Sequence, residues 1–365
     1  MRRGIRLFGL LVVCVLLLAV AAGYAVKRCL HRPLPLQQPQ RVIVEAGDSY
    51  SSVMHSLQQR GLLGASPEAG LRRVAARLYA AFTDVDQHMF VGEYQLQPGD
   101  SLVSLLGKID RGEVVQHSVT LVDGWTFKEW RQRLDSLKDL KHDSNGLDGK
   151  QIMARLGLPD YQPEGWFAPN TYFYTRGTSD LEVMRRALEN QRKILDAAWA
   201  ARDKDLPYDG PYQALIMASI VEKETAQPDE REEIAGVFVN RLRRGMRLQT
   251  DPTVIYGLGD SYTGNLRRSD LQQSTPYNTY RIVGLPPTPI AMPGRAAIEA
   301  AVHPSNTEDL YFVARGDGSH VFSKTFAAHR KAVREYQLHR RADYRSSPEP
   351  ASPPAGSGAG EEVRQ

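Results

Sequence analysis

The sequence predicts an α+β protein made of a single N-terminal transmembrane helix, a small α+β module and a larger mixed α+β domain. Two observations support this fold class. A long uncharged run lies near the N-terminus. The segments after it alternate strand-like patterns with apolar residues at helical spacing. The predicted boundaries are 1–6 for a short N-terminal segment, 7–26 for the transmembrane helix, 27–40 for a spacer, 41–117 for the small module, 118–340 for the larger domain and 345–365 for a disordered tail.

The uncharged run at 7–26 is 20 residues long, which spans the hydrocarbon core of a bilayer at the helical rise of about 1.5 Å per residue. Arg2, Arg3 and Arg6 precede it, and no acidic residue does. Because positive charge stays on the cytoplasmic side, the N-terminus is expected inside and the rest of the chain outside. Small residues at 19–23 leave cleavage as a signal peptide open as an alternative.

The charge balance disfavours nucleic acid as a partner. The chain has 46 basic and 42 acidic residues, and residues 1–29 hold five of the basic ones and none of the acidic ones. The remainder therefore carries 41 basic against 42 acidic residues, without the basic surplus of a nucleic-acid binder. Both cysteines, Cys14 and Cys29, lie in or beside the apolar run, so the predicted exported part relies on its core rather than on disulfides.

The small module contains two similar segments, residues 42–49 and 94–101. Each alternates like a strand, turns at Gly-Asp and reaches a serine, Ser49 or Ser101, placed to cap a following helix. A looser third copy at 119–126 precedes two apolar helical positions. Strand, turn and helix resemble one half of a LysM-type carbohydrate-binding module. A small α+β scaffold with ordinary turns is the alternative, and the acids of this half are expected to lie at the surface or in turns.

Residues 164–174 hold a cluster of aromatic side chains, with five aromatics between Trp166 and Tyr174. Such rings suit either sugar binding or core packing. Residues 181–201 then follow the apolar spacing of a long amphipathic helix.

The most informative segment is the apolar run 214–221, which ends at Glu222-Lys223-Glu224. Pro211 is expected in the first turn of this helix, with Asp209 as its cap. An apolar environment keeps a carboxyl group protonated, which suits the general acid of glycosidic cleavage. At 100° per residue Glu224 lies about 200° from Glu222. The pattern therefore predicts one carboxyl group in the cleft, that of Glu222, with pairing to Arg231 or Arg241 as the alternative.

Further polar side chains in the C-terminal half are candidates for hydrogen bonds to sugar. Three of them follow a strand-like segment at 246–248, and four precede a Pro-rich loop. The candidates are Asn240, Gln249, Thr250, Asp251, Tyr277, Asn278, Thr279 and Tyr280. Asp251 could equally cap a turn. The residues 316–319 predict a hairpin turn, and the histidines lack metal-ligand spacing, so no metal and no cofactor are predicted.

Four linked segments, 218–225, 238–259, 274–294 and 310–329, resemble the endolytic peptidoglycan transglycosylases, the YceG-like family. The similarity extends from the apolar run to about residue 336. The segment 164–172 also resembles the family, although Asn170 stands where the family usually has an acid.

The resemblance implies a lyase that cuts nascent peptidoglycan strands at MurNAc-GlcNAc bonds without water and leaves 1,6-anhydro-MurNAc ends. It implies Glu222 as the single catalytic acid and base. It also implies a bacterial inner-membrane location with the catalytic domain in the periplasm. The expected partners are glycan strands, the membrane and peptidoglycan synthases of the penicillin-binding type. A lysozyme-like hydrolase and a non-catalytic wall-binding scaffold are the alternatives.

Overall fold

The computed structural model describes residues 2–65, 68–83 and 89–338 of the chain. Within these residues helices predominate, and the strands form three two-stranded sheets. The prediction of a mixed helix-and-strand fold with an apolar N-terminal helix is thus confirmed. The fold has two compact units, which consist of residues 1–119, 138–141 and 173–179 in unit 1, and residues 120–137, 142–172 and 180–365 in unit 2.

Unit 1 begins with a long helix and continues with two strand-and-helix segments. Its elements are α1 (Arg2–His31), β1 (Gln40–Val44), α2 (Tyr50–Gln59), α3 (Glu68–Thr83), β2 (Gly92–Leu96) and α4 (Leu102–Asp110). β1 and β2 are antiparallel, with Val42 opposite Tyr94. The hydroxyls of Ser49 and Ser101 accept the N–H groups three residues on, which confirms the two predicted helix caps.

The N-terminal helix α1 is long and apolar enough from Phe8 to His31 to cross a membrane. The side chains of residues 8–20 are exposed to solvent in the isolated chain. At the other end of the helix, Leu30 is buried in the core of unit 1, as is Leu34 just beyond it. The predicted disordered tail at 345–365 lies outside the described residues.

The remaining helices and the last two strands lie in unit 2, and the third and fourth strands each have residues in both units. β3 (Gln116–Leu121) pairs with β4 (Asn170–Thr175). The helices are α5 (Phe127–Asp135), α6 (Gly149–Arg155), α7 (Asp180–Ala201), α8 (Pro211–Glu224), α9 (Arg231–Arg243), α10 (Asp251–Leu258), α11 (Arg268–Gln272), α12 (Arg295–Val302) and α13 (Phe326–Val333). The antiparallel pair β5 (Tyr311–Ala314) and β6 (His320–Ser323) confirms the predicted hairpin.

The helix α8 lies in the core of unit 2, where α7, α9 and α12 pack against it. Every residue from 214 to 221 is buried, as the apolar run predicts. Pro211 occupies the first turn as expected. The prediction that Asp209 caps this helix is wrong, because its carboxylate accepts from the Gln213 side chain and Gly210 occupies the cap position.

The connection from α9 to α10 is irregular. Gly245 follows α9 in the left-handed region, with φ of 65°, as expected for a residue that ends a helix. Residues 246–250 form no strand, so the strand-like interpretation of 246–248 is wrong. The buried Arg241 guanidinium instead occupies this turn, where it donates to the Leu248 carbonyl at 2.6 Å.

Candidate functional site

The last turn of α8 presents Glu222 to a nearly enclosed position. Only 8% of its side chain is exposed. Its Oε2 accepts the Gly294 N–H at 3.0 Å, and Arg231 Nη2 lies 4.0 Å from Oε1. Burial raises the pKa of Glu222, and the charge of Asp123 adds to that rise against the Gly294 hydrogen bond and the Arg231 charge. The pairing alternative is therefore present as a long contact to Arg231.

A second carboxylate, that of Asp123, lies beside Glu222. A methyl group added at Gly294 would lie 2.2 Å from Asp123 Oδ1 and 3.5 Å from Glu222 Oε2, so the missing side chain of Gly294 lets both carboxylates approach this point. The Gly124 N–H donates to the Met292 carbonyl at 2.9 Å and holds the Asp123 loop there. Asp123 is exposed and lies in a turn, as predicted for the acids of the preceding half, and a single cleft-facing carboxyl group stays a prediction.

Glu164 is a third acid that sequence reasoning did not single out. It is buried, and it accepts the Phe127 N–H at 2.9 Å and the Tyr256 hydroxyl at 3.1 Å. Burial raises the pKa of Glu164 to about 7. The available signal was its place at the head of the aromatic segment, where Trp166 and its neighbours exclude water. Burial therefore favours the protonated form of its side chain.

The other acid of the last turn, Glu224, was predicted to turn away from Glu222, and its side chain lies against Thr250. The Thr250 hydroxyl donates a short hydrogen bond to Glu224 Oε1. Burial raises the pKa of Glu224 to about 7, and the charge of Asp251 adds to the rise, while the Thr250 bond and the Arg241 charge oppose it. A carboxyl group whose pKa is raised in this way is suited to proton transfer near neutral pH.

Glu224 opens onto a cavity of about 560 Å³ in unit 2, a volume in the usual range for ligand pockets. Four of the predicted sugar-binding residues line the same cavity. The polar lining includes Lys223, Glu224, Arg241, Gln249, Thr250, Asp251 and Tyr280. Aromatic side chains of β5 and α13 complete it, so the cavity combines hydrogen-bonding groups with ring faces, as sugar recognition requires.

The turn before α10 positions Thr250 and Asp251 near Glu224. Gln249 has a φ of 51°, a left-handed conformation that is strained for a residue with a side chain. Its N–H donates to the Thr279 carbonyl at 3.2 Å, and the Thr250 N–H donates to Thr279 Oγ1 at 3.1 Å. The Tyr280 hydroxyl donates to Asp251 Oδ1 at 2.6 Å. These bonds hold the strained turn, and with it Thr250 and Asp251, in place.

The other four predicted sugar-binding residues have structural contacts. Asn278 and Thr279 are fully buried, and the Asn278 amide donates to three backbone carbonyls of residues 270–273. The Asn240 amide donates to two carbonyls before β5, and the Tyr277 hydroxyl contacts Thr288 at 2.8 Å. Complete burial of Asn278 and Thr279 conflicts with the prediction that they contact glycan, and we assign them to holding the fold.

Two groups in the described residues bring histidine and carboxylate ligand atoms within 4.8 Å of one another, namely Glu93, His117 and Asp139, and Asp135, His142 and Asp180. The first group is already paired with arginines, since Arg41 contacts Glu93 at 2.9 Å and Arg176 contacts Asp139. In the second group both oxygens of Asp180 accept from Ser144. The absence of a metal cofactor stays a prediction.

A buried carboxyl group with a raised pKa, that of Glu224, lining a cavity of ligand-binding volume is typical of an enzyme that works by acid–base chemistry. The family model for the YceG-like family matches residues 42–335, and the chain belongs to that family. The resemblance inferred from the sequence segments is thereby confirmed.

Curated relatives carry a functional name. The endolytic murein transglycosylase of Bacillus subtilis (strain 168) is 31% identical over 269 residues, which cover 67% of this chain and 72% of that protein. The endolytic murein transglycosylase of Streptococcus pneumoniae serotype 2 is 28% identical over 307 residues, 74% of this chain and 53% of that protein. The chain thus spans about half the length of the pneumococcal relative. A solved YceG-like protein of Listeria monocytogenes is 27% identical and covers 81% of this chain and 99% of its own, with a TM-score of 0.49.

Proposed function

We propose that this protein is an endolytic murein transglycosylase, a lyase that cuts glycan strands internally and leaves 1,6-anhydro-MurNAc ends. The family membership and the names of the relatives support the reaction class. The observation that carries the proposal is the position of Glu224, a carboxyl group with a pKa of about 7 that opens onto the 560 Å³ cavity. A single carboxyl group can serve as both acid and base in this reaction, because the reaction consumes no water.

The geometry favours Glu224 over Glu222 as the group that transfers the proton. Glu224 lines the cavity together with Thr250 and Asp251. Glu222 is instead tied to the Gly294 N–H at the start of α12. Both acids lie on the last turn of α8. The role of Glu222 as the acid and base stays a prediction, and the experiment below decides between the two residues.

In the proposed reaction, protonated Glu224 donates its proton to the glycosidic oxygen as the bond from that oxygen to MurNAc C1 breaks. The acetamido carbonyl oxygen of the same sugar attacks C1 and stabilises the cationic intermediate. Asp251, held by Tyr280, accepts from the acetamido N–H. The Glu224 carboxylate then removes the proton of the 6-hydroxyl, whose oxygen bonds to C1 and releases the acetamido group. Protons and atoms balance without water, so no second carboxylate is needed to transfer protons.

The test is product analysis with the full chain and two single variants, Glu224→Gln and Glu222→Gln, on purified glycan strands. We expect wild-type products that are lighter by one water than hydrolytic fragments. Glu224→Gln should lose at least about 10³-fold in rate, since it loses both acid and base catalysis, whereas Glu222→Gln should retain most activity. If Glu222→Gln instead loses the activity and Glu224→Gln retains it, Glu222 is the acid and base. Products of hydrolytic mass would establish the lysozyme-like alternative.

Unchanged cleavage in both folded variants would remove the acid–base assignment. No cleavage by the wild-type chain would leave the non-catalytic wall-binding scaffold. Both substitutions alter hydrogen bonds of Glu222 or Glu224. The melting temperatures of all three proteins are therefore measured as the folding control, and equal values show that the variants are folded.

We also propose single-pass anchoring in a bacterial inner membrane, with the N-terminus cytoplasmic, unit 2 periplasmic and a synthase of the penicillin-binding type as partner. The apolar helix Phe8–His31 and the arginines before it support the anchor and its orientation. The paired strand-and-helix segments of unit 1 support a LysM-like glycan-binding role. Protease protection of unit 2 in sealed inverted vesicles tests the orientation, and pull-down of unlabelled glycan strands tests the LysM-like role.

A further inference from the structure

The helix α3 carries an exposed apolar stripe on its outer face. The exposed fractions of its members are 59% for Leu71, 60% for Val74, 46% for Leu78 and 87% for Phe82. At 100° per residue these four positions fall within an arc of about 80°. The opposite face buries small residues, among them Ala76. A helix that exposes its large apolar residues and buries its alanines is the reverse of an ordinary surface helix.

The stripe continues onto the end of the apolar N-terminal helix. Within unit 1, α1 and α3 pack against each other. A groove of about 470 Å³ between them is lined by Gly23 and Val26 of α1 and by Leu78 and Phe82 of α3. Its surface is almost entirely apolar. The C-terminal half of α3 and the end of α1 therefore share one continuous apolar surface.

The depth of this groove follows from the length of α1. A hydrocarbon core of about 30 Å takes up about 20 helical residues. A span that begins at Phe8 thus reaches the far interface near residue 27. Gly23 and Val26 then lie within the outer leaflet. Leu78 and Phe82, which line the same groove, lie at the same depth.

Basic side chains border the apolar surface where lipid headgroups would lie. Arg77 is exposed beside the stripe on α3, about 60° from Val74 around the helix. Lys27 lines the groove at the end of α1. The acid of α3, Glu68, is already paired with Arg32 at 2.9 Å. An apolar stripe flanked by cations is the pattern of a helix that lies in a membrane interface.

We propose that α3 lies in the outer surface of the membrane that α1 spans, with its apolar stripe among the acyl chains and Arg77 at the phosphates. This inference rests on the proposed anchor. The occupant of the stripe is lipid, because the stripe is continuous with a helix long enough to cross the bilayer. Unit 1 is consequently held against the membrane by two helices rather than suspended from one.

The test uses the full chain in nanodiscs of phosphatidylethanolamine and phosphatidylglycerol. Phe82→Trp is compared with its parent in lipids brominated on the acyl chains and in unbrominated lipids, and the parent's tryptophan signal is subtracted. Leu16→Trp in α1 serves as the matched control for insertion of the anchor. We expect bromine to quench more than half of the added fluorescence of both variants. Leu78→Trp replaces Phe82→Trp if the latter fails to fold by its melting curve.

An unquenched signal from Phe82→Trp beside a quenched signal from the Leu16→Trp control would overturn the proposal for α3 and leave the anchor intact. Loss of quenching in both variants would overturn the anchor itself. A blue-shifted but unquenched Phe82→Trp signal would also overturn the proposal, since it would show that protein rather than lipid covers the stripe.

Discussion

The raised pKa of Glu224 predicts a steep dependence of activity on pH. With a pKa of about 7, about 90% of Glu224 is protonated at pH 6 and about 10% at pH 8. If the protonated form starts the reaction, kcat/KM should fall about tenfold between those values. In a plot of kcat/KM against pH, this decrease forms a falling limb. Substitutions of two neighbours of Glu224 should move that limb in opposite directions.

Thr250→Val removes the hydroxyl that donates to Glu224. A hydrogen bond to a charged group contributes about 1.5–3 kcal/mol, and one pKa unit corresponds to about 1.4 kcal/mol. Because that bond favours the carboxylate, its loss should raise the pKa of Glu224 by about one to two units and shift the limb toward pH 8–9. Asp251→Asn removes a negative charge that raises the same pKa, so the limb should move below pH 7.

The assay is release of reducing or anhydro ends from defined glycan strands between pH 5 and pH 10. Asp123→Asn is the matched control, because Asp123 raises the pKa of Glu222 rather than that of Glu224. It should leave the limb in place. A limb that moves with Asp123→Asn and stays fixed with Thr250→Val would refute the assignment and identify Glu222 as the proton donor.

Three further predictions concern stability in urea unfolding. Since burial raises the pKa of Glu164 from 4.5 to about 7, the folded state binds more protons and wild-type stability should fall between those pH values. Between pH 5 and pH 8 the free energy of unfolding of Glu164→Gln should rise by about 3 kcal/mol relative to that of wild type. The same pH dependence of unfolding in both proteins would contradict the raised pKa of Glu164. Gly165→Ala should cost about 2–5 kcal/mol, because φ is 82° and the added methyl would lie 2.5 Å from Pro289. Ser219→Ala should cost about 1–3 kcal/mol, because it leaves the buried Ile290 N–H unpaired, and an unchanged unfolding midpoint would argue against that bond.

Local signals predicted much of the fold. Ser49 and Ser101 could be identified as caps because a cap depends only on the next few residues. The buried helix α8 could be identified because its apolar run has no break. The turn that carries Glu222 and Glu224 was predictable for the same reason.

The surroundings of those acids were not predictable from sequence. Gly294 binds Glu222 across 72 positions, and Tyr256 binds Glu164 across 92. No local pattern reports such contacts, so Glu164 resembled an ordinary surface acid. The helical spacing of Glu222 and Glu224 does not report that Glu224 contacts Thr250, which lies 26 positions later.

The enclosure of α8 has a consequence for the energetics of catalysis. A helix with residues 214–221 all buried cannot shift its last turn without moving the surrounding core. Under the proposed assignment, Glu224 and its hydrogen-bond partner Thr250 are therefore oriented before a glycan binds. Such preorganisation lowers the reorganisation that the protein must undergo in the transition state, so the resting protein should differ little in this turn from the glycan-bound one.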